Sequence, residues 1–212
     1  MKLDIVSDVV CPWCFIGKRR LEKAMELRPD YKFEIIWRPY QLNPNMPATG
    51  MPHKEYYRGK FGSKEQVKQL TDNMTAVGAD VGINFDFDNI PMAPNTMDAH
   101  RLIRWSYSTG HQGAVVEALF NAYFHEANDV GTTAVLMDIA QSVGMDTNVL
   151  KLLLEEDAET REVAAEVKQA TEMGITGVPF IVIENKFAIP GAQEPEAIAQ
   201  VMDQAFEASK SA

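Results

Sequence analysis

Along the chain the apolar residues change period several times, and each change marks an element. Lys2 to Ser7 (KLDIVS) sets Leu3, Ile5 and Val6 in a short run that predicts a buried strand. From Pro12 to about Arg28, Cys14, Gly17, Leu21, Ala24 and Met25 recur at spacings of three and four, which predicts a helix with one apolar face. Lys18, Arg19 and Lys23 fall largely off that face. Pro12 suits the first helical position, where its missing N–H would have had no partner, and Pro29-Asp30 ends the helix. Phe33, Ile35 and Trp37 then alternate with Glu34, Ile36 and Arg38, the period of a second strand.

The other end of the chain repeats the change of period. Phe180-Ile181-Val182-Ile183 is an apolar, β-rich run, and Phe187-Ala188-Ile189 follows after Glu184-Asn185-Lys186. That arrangement predicts a hairpin with a tight turn near Asn185-Lys186. Ile198, Val201, Met202 and Ala205 predict an amphipathic closing helix from Glu194 to about Ala208. Between the two ends the period is helical, in stripes such as Val67/Leu70/Met74/Val77, Leu102/Ile103/Ser106, Val116/Leu119/Phe120/Tyr123, Leu136/Ile139/Val143 and Val163/Val167/Ala170. These read as core faces of a helical bundle. The Pro- and Met-rich stretch Asn43 to His53 reads as a long connector, either a plain linker or a carrier of binding residues.

Composition changes this picture little: 46% hydrophobic and 24% charged residues describe an ordinary globular chain. Charge changes it more. The net charge of −10 argues against a nucleic-acid binder, and no apolar run is long enough to span a membrane. Residues 1–60 carry a net +4 and residues 61–212 a net −14, so the positive part of the sequence is the part around the two cysteines, where it would favour a thiolate. The opening MKLDIVSDVV lacks the apolar run of a signal peptide, so a cytoplasmic location is expected.

Those cysteines, Cys11 and Cys14 in DVVCPWCFIGKRR, are the only two in the chain. Random placement gives this spacing in roughly one per cent of cases. A structural bridge is a poor reading, because cytosolic thiols stay reduced and so short a loop has little closure entropy to remove. A zinc site needs two further ligands, and His53, His100, His111 and His125 show no close paired spacing, so no metal is expected. A working dithiol fits the strand–turn–helix setting. Cys11 falls just before the helix, where the first N–H groups and the helix dipole favour a thiolate. Cys14 lies one turn in, on the apolar face. The expected division of labour is an exposed nucleophilic Cys11 and a shielded resolving Cys14. Pro12 stiffens the turn and Trp13 offers an apolar surface beside the sulfur. In MGITGVPFIVIEN, Val178-Pro179 precedes a strand, and the sequence alone allows either a cis bond or a trans proline opening an edge strand.

The two ends together resemble the thioredoxin superfamily, and the helical stretch between them resembles the DsbA branch. CPWCFIGKRRLE, the Arg38-Pro39-Tyr40-Gln41-Leu42-Asn43-Pro44 segment, Asn95-Thr96 with Ala99-His100-Arg101, and GITGVPFIVIENKFAIPGAQ are similar to the FrnE-like subfamily. The resemblance implies an α/β thioredoxin fold, a mixed sheet flanked by helices, with a large all-α insertion between its βαβ and ββα halves. Residues 1–50 and 174–212 would form the thioredoxin-like domain and 51–173 the insertion. It implies a thiol–disulfide oxidoreductase or isomerase with a redox-active Cys11/Cys14 pair, and a cis Val178-Pro179 peptide across from Cys11. There the Val178 backbone would hold a substrate as an added strand. It also implies that Asn95, Thr96 and His100 lie over the site and bind substrate, although a helix cap explains Asn95-Thr96 equally well.

Kappa-class glutathione transferases and 2-hydroxychromene-2-carboxylate isomerases are similar to the same insert-bearing fold, but as a group they carry serine where Cys11 stands. Both cysteines here favour dithiol exchange, with disulfide- or thiol-bearing proteins or peptides as partners. No tightly bound cofactor is expected, and glutathione is a candidate redox partner. The rivals are a glutathione-dependent isomerase or transferase and a peptide-binding chaperone with an idle dithiol, and a homodimer is left open.

Overall fold

A computed structural model of the 212-residue chain describes residues 1–210. In chain order its elements are β1 (Lys2–Ser7), α1 (Pro12–Glu26), β2 (Glu34–Pro39), β3 (Met51–Pro52), α2 (His53–Phe61), α3 (Lys64–Asp80), β4 (Met92–Ala93), α4 (Met97–Ser108), α5 (Gln112–Phe124), α6 (Thr133–Ser142), α7 (Thr147–Glu155), α8 (Thr160–Glu172), β5 (Phe180–Ile183), β6 (Phe187–Pro190) and α9 (Pro195–Lys210). The main sheet runs β2-β1-β5-β6, with β1 and β2 parallel and the other neighbours antiparallel. The parallel pair needs a crossover, and α1 supplies it. The chain is therefore an α/β protein with a thioredoxin-like mixed sheet, and helices α2 to α8 are interposed between β2 and β5.

Both free edges of the sheet are blunted. On β2 the Gln112 side chain imitates a neighbouring strand: its Oε1 accepts from the Trp37 N–H at 2.9 Å and its Nε2 donates to the Trp37 carbonyl at 3.3 Å. On the far side β6 ends at Pro190, which has no N–H to offer. The hairpin bends one residue earlier than the sequence predicts. Glu184 and Asn185 carry the positive φ angles, 52° and 54°, and the Lys186 N–H donates to the Ile183 carbonyl at 3.0 Å. Asn tolerates that conformation, but Glu184 is held there from outside its own loop. Its carboxylate accepts from the Lys2 N–H at 2.8 Å, and its N–H donates to the Lys2 carbonyl at 3.0 Å.

Helices α3, α4, α5, α6 and α8 carry the stripes read from the sequence, whereas α2 and α7 were not foreseen. In α7, TNVLKLLLE, Leu150 and Leu154 are buried one turn apart on an apolar side opposite Asn148, Lys151 and Glu155, and Asp146 caps the helix, accepting from the N–H groups of Asn148 and Val149. In α2 the apolar residues are aromatics, Tyr56, Tyr57 and Phe61, set directly after the connector. The core is continuous from the sheet into the helices. Phe15 of α1 stacks on Phe120 of α5 at 4.9 Å and meets Phe85 edge-on at 6.2 Å. Beside that stack Lys18, expected largely off the apolar face, is buried. Its Nζ pairs with Glu22 and with Glu117 of α5 (2.6 Å to the latter), which compensates the charge. Among the described residues no helix is long and apolar enough to cross a membrane.

Candidate active site

Strand β1 runs into a single turn at Asp8-Val9-Val10 and delivers Cys11 as the capping residue of α1. Its backbone is extended (φ −92°, ψ 112°), and its carbonyl accepts from the N–H groups of Cys14 at 3.0 Å and Phe15 at 3.3 Å. Pro12 follows as the first helical residue. The two thiols are free. Burial pushes the Cys14 thiol well above its ordinary range, and the adjoining Cys11 sulfur adds to this through a hydrogen bond and through charge. Hydrogen bonds from the Ser7 hydroxyl and the Asp8 N–H pull weakly the other way. Cys14 is thereby kept as a thiol.

Cys11 differs from the expectation. It is only 4% exposed, hardly more than Cys14 at 1%. Residues remote in sequence gather beside Cys11: Tyr56, Tyr57 and Phe61 of α2, Met74 of α3 and Met46 of the connector. They leave a cavity of about 230 Å³ beside Cys11, whose near wall is Pro12, Trp13 and Val178. The Val178-Pro179 peptide is cis, and Cys11 Sγ lies 3.6 Å from the Val178 carbonyl oxygen, in position to donate. Gly17 of α1 makes room for the Pro179 ring: a Cβ built on it would stand 2.8 Å from Pro179 Cγ.

The positive charge counted around the cysteines in sequence does not gather at the thiols in space. Lys18 and Arg19 pair with Glu22 and Glu117, Arg20 with Glu194, Arg28 with Asp203, and Arg38 with Asp4. Acids remote in sequence neutralise these cations. Lys60, lying over the rings of Tyr56 and Phe61, is the lysine that lines the Cys11 cavity.

Asn95, Thr96 and His100 are separated by the structure. Thr96 is buried and lines the Cys11 cavity. Asn95 is engaged by the scaffold: its Oδ1 accepts from Gln41 Nε2 at 3.3 Å and from the Met97 N–H at 3.0 Å, and its Nδ2 donates to the Met46 carbonyl at 2.7 Å. It therefore pins the connector to the start of α4. His100 lies behind the cavity wall, where its Nε2 contacts the Tyr40 carbonyl at 2.8 Å. The same nitrogen is 3.4 Å from Oδ1 of Asp8.

Asp8 is the residue that the sequence reading passed over. It is 1% exposed, its carbonyl accepts from the Cys11 N–H at 3.1 Å, and its Oδ2 accepts from the Leu42 N–H at 2.8 Å. The available signal was an acid at the end of an apolar strand, three residues before a cysteine. Tyr57 and Tyr123 complete the surroundings, and burial pushes both phenols up, so they stay protonated. Among the described residues, no three His, Cys, Asp or Glu side chains gather as a metal site.

Comparison with known proteins agrees with this geometry. A solved structure described as a probable DsbA oxidoreductase, SCO1869 from Streptomyces coelicolor, is 30% identical, covers 98% of this chain and 90% of its own, and superposes with a TM-score of 0.89. The Bacillus subtilis protein YwbO is 28% identical over 201 residues, 90% of each chain. The cytosolic disulfide reductase DsbM from Pseudomonas aeruginosa, solved with GSH, shares the fold at 13% identity, with a TM-score of 0.69 over 98% of this chain and 100% of its own. The DSBA-like thioredoxin domain matches residues 2–203, nearly the whole chain from the first strand into the closing helix. With a sheet, a helix-capping cysteine and a proline loop that all fall inside that match, the chain belongs to the DSBA-like thioredoxin domain family.

Proposed function

We propose that this chain is a cytoplasmic, FrnE-like thiol–disulfide oxidoreductase in which Cys11 is the nucleophile and Cys14 the resolving thiol. The observation that carries the reading is the asymmetry of the pair. Cys11 caps α1 and opens on a cavity, while Cys14 is sealed beneath it with its thiol held protonated. The Cys11 thiolate attacks one sulfur of a substrate disulfide, forming a mixed disulfide and releasing the other sulfur as a thiolate. Cys14 then gives up its proton and attacks Cys11 Sγ. The second substrate thiolate leaves, and the enzyme holds a Cys11–Cys14 disulfide. A thiol donor restores the dithiol, and oxidation of a substrate is the same path reversed. Pro12 and Trp13 shape the near wall, the Val178 carbonyl faces the reacting sulfur, and Thr96 is the substrate-contacting member of the trio with Asn95 and His100.

The test is covalent trapping. A Cys14→Ala protein is expected to accumulate a mixed disulfide with a peptide disulfide, seen by intact mass, and a Cys11→Ser protein is expected to form none. Trapping on Cys14 in the Cys11→Ser protein would reverse the roles, and no trapping in either variant would end the redox reading.

The enclosure of Cys11 favours one extension, glutathione as redox partner. A buried sulfur beside a cavity of about 230 Å³ suits a small thiol better than a folded protein surface, and the DsbM structure was solved with GSH. Faster regeneration of the dithiol by glutathione than by thioredoxin would support it, and the reverse order would exclude it.

A further inference from the structure

A second cavity lies away from the cysteines. It measures about 680 Å³ and runs along α4, between β2 and α7, walled by Trp37, Ile103, Trp105, Leu150 and Leu153. Its lip exposes apolar surface: Tyr107 is 49% and Val149 52% exposed. Volume and lining fall in the range of small-molecule sites.

One polar atom in its lining residues is unaccounted for. Trp105 is 8% exposed, its Nε1 is fully buried, and that N–H has no acceptor among the described residues. Buried indole N–H groups ordinarily find a partner, and leaving one unpaired is costly. The other polar side chains around the cavity are engaged. Arg38 pairs with Asp4, Arg104 with Glu159 and Glu166, and Tyr107 donates to Glu34. Gln112 is spent on Trp37, Ser108 and Thr109 donate to backbone carbonyls, and Asp146 caps α7. Around the cavity the acids Asp146, Glu159 and Glu166 outnumber Arg38 and Arg104, and both arginines are already paired, so an anionic ligand would meet no free cation. What the site offers is aromatic and aliphatic surface with one buried side-chain donor, Trp105 Nε1, that has no partner among the described residues.

We propose that this cavity is a second ligand site, separate from the dithiol, for an uncharged, flat, largely apolar molecule carrying a hydrogen-bond acceptor such as a carbonyl, which Trp105 Nε1 meets after a small opening of the wall. Its placement gives it a route to the dithiol. His100 lines this cavity, while its Nε2 touches Tyr40 and faces Asp8, and Asp8 lines the Cys11 cavity. His100 is thus part of the partition between the two sites.

The probe is prodan, a neutral naphthalene ketone, titrated into ¹⁵N-labelled protein. The chain has three tryptophans, hence three indole N–H resonances: Trp13 in the wall of the Cys11 cavity, and Trp37 and Trp105 in the wall of the large one. The expected result is saturable one-to-one binding that moves the Trp105 resonance downfield and leaves that of Trp13 in place. Trp105→Phe keeps an aromatic ring, though a smaller one, removes the donor and should weaken binding about three- to tenfold. Val149→Asp, an exposed change that folding should tolerate, should abolish it. Absence of saturable binding, movement of Trp13 in place of Trp105, or equal affinity in both variants and the parent would each overturn the assignment.

Discussion

Gly17→Ala is the sharpest test of how α1 is fitted to the loop that carries Val178. Alanine in a helix interior gains about 1 kcal/mol over glycine through the unfolded chain and the helix itself. At Gly17 the new methyl would stand 2.8 Å from Pro179 Cγ and 3.4 Å from Pro179 Cβ. The ring therefore has to move by about half an ångström or more to restore van der Waals contact. It has little freedom to do so, because the Pro179 carbonyl already accepts from the Gly191 N–H at 2.8 Å and β5 begins at the next residue. Overpacking of this kind costs about 1–3 kcal/mol. Gly59→Ala in α2 is the matched control: it makes the same change in a helix with no atom within 4 Å of the new methyl. The propensity gain is common to both, so the difference between the variants isolates the clash. Urea unfolding should place Gly17→Ala about 1–3 kcal/mol below Gly59→Ala. Thiol–disulfide exchange should slow in the first variant only, since displacement of Pro179 moves the Val178 carbonyl relative to Cys11 Sγ. Equal stability together with equal rates would refute the argument that Gly17 is small because of Pro179.

Three other outcomes are expected. Arg101 is fully buried, donates to the carbonyls of Ala158 at 2.8 Å and Leu153 at 2.5 Å and to Asp98 at 2.7 Å, and covers the Trp105 ring. Arg101→Ala should cost about 3–5 kcal/mol in urea unfolding, and Arg101→Lys should recover little of it because one ammonium cannot reproduce the fork; a loss below about 1 kcal/mol would contradict this. Burial, with Lys54 adding charge, holds the His53 imidazole down to about 4 from its ordinary 6.5. Between those values the unfolded chain binds a proton that the folded one does not, so stability is full above pH 6.5 and falls with acidification to about pH 4, by about 3 kcal/mol at most. His53→Gln should flatten that part of the stability profile, and parallel profiles would show that another group controls it. Burial opposes ionisation of Glu117, but hydrogen bonds from Arg19 and Lys18 outweigh it and bring the carboxyl down to about 2. Its contribution is present above pH 4.5 and lost as pH falls through about 2. Glu117→Gln should accordingly destabilise by about 1–3 kcal/mol at pH 7 and by much less near pH 2, where the carboxyl is about half protonated in the folded chain, measured by thermal unfolding at both.

What the sequence by itself determined is what depends on neighbours along the chain. The apolar periods of Lys2 to Ser7, of the helix opening at Pro12 and of Phe180 to Ile183 are local, and so is the placement of two cysteines one helical turn apart at the start of that helix. A single period also sufficed for most of the inserted helices. It was not read for α7 or α2, each only nine residues long and so offering barely two turns of pattern, the first with its stripe on Leu150 and Leu154 and the second with Tyr57 as its buried aromatic. Tertiary structure decided the properties that depend on distant residues. The cavity beside Cys11 is lined by Tyr56, Tyr57, Phe61 and Met74, none of them near it in sequence. Remote acids such as Glu117 and Asp203 neutralise the cations that seemed to surround the dithiol. Glu184 adopts its left-handed backbone because Lys2 holds it. Asp8 and His100 belong to one buried contact that neither segment announces alone. Local pattern fixes which way a side chain points along its own element, whereas exposure, charge and partnership are set by whatever the fold brings against it.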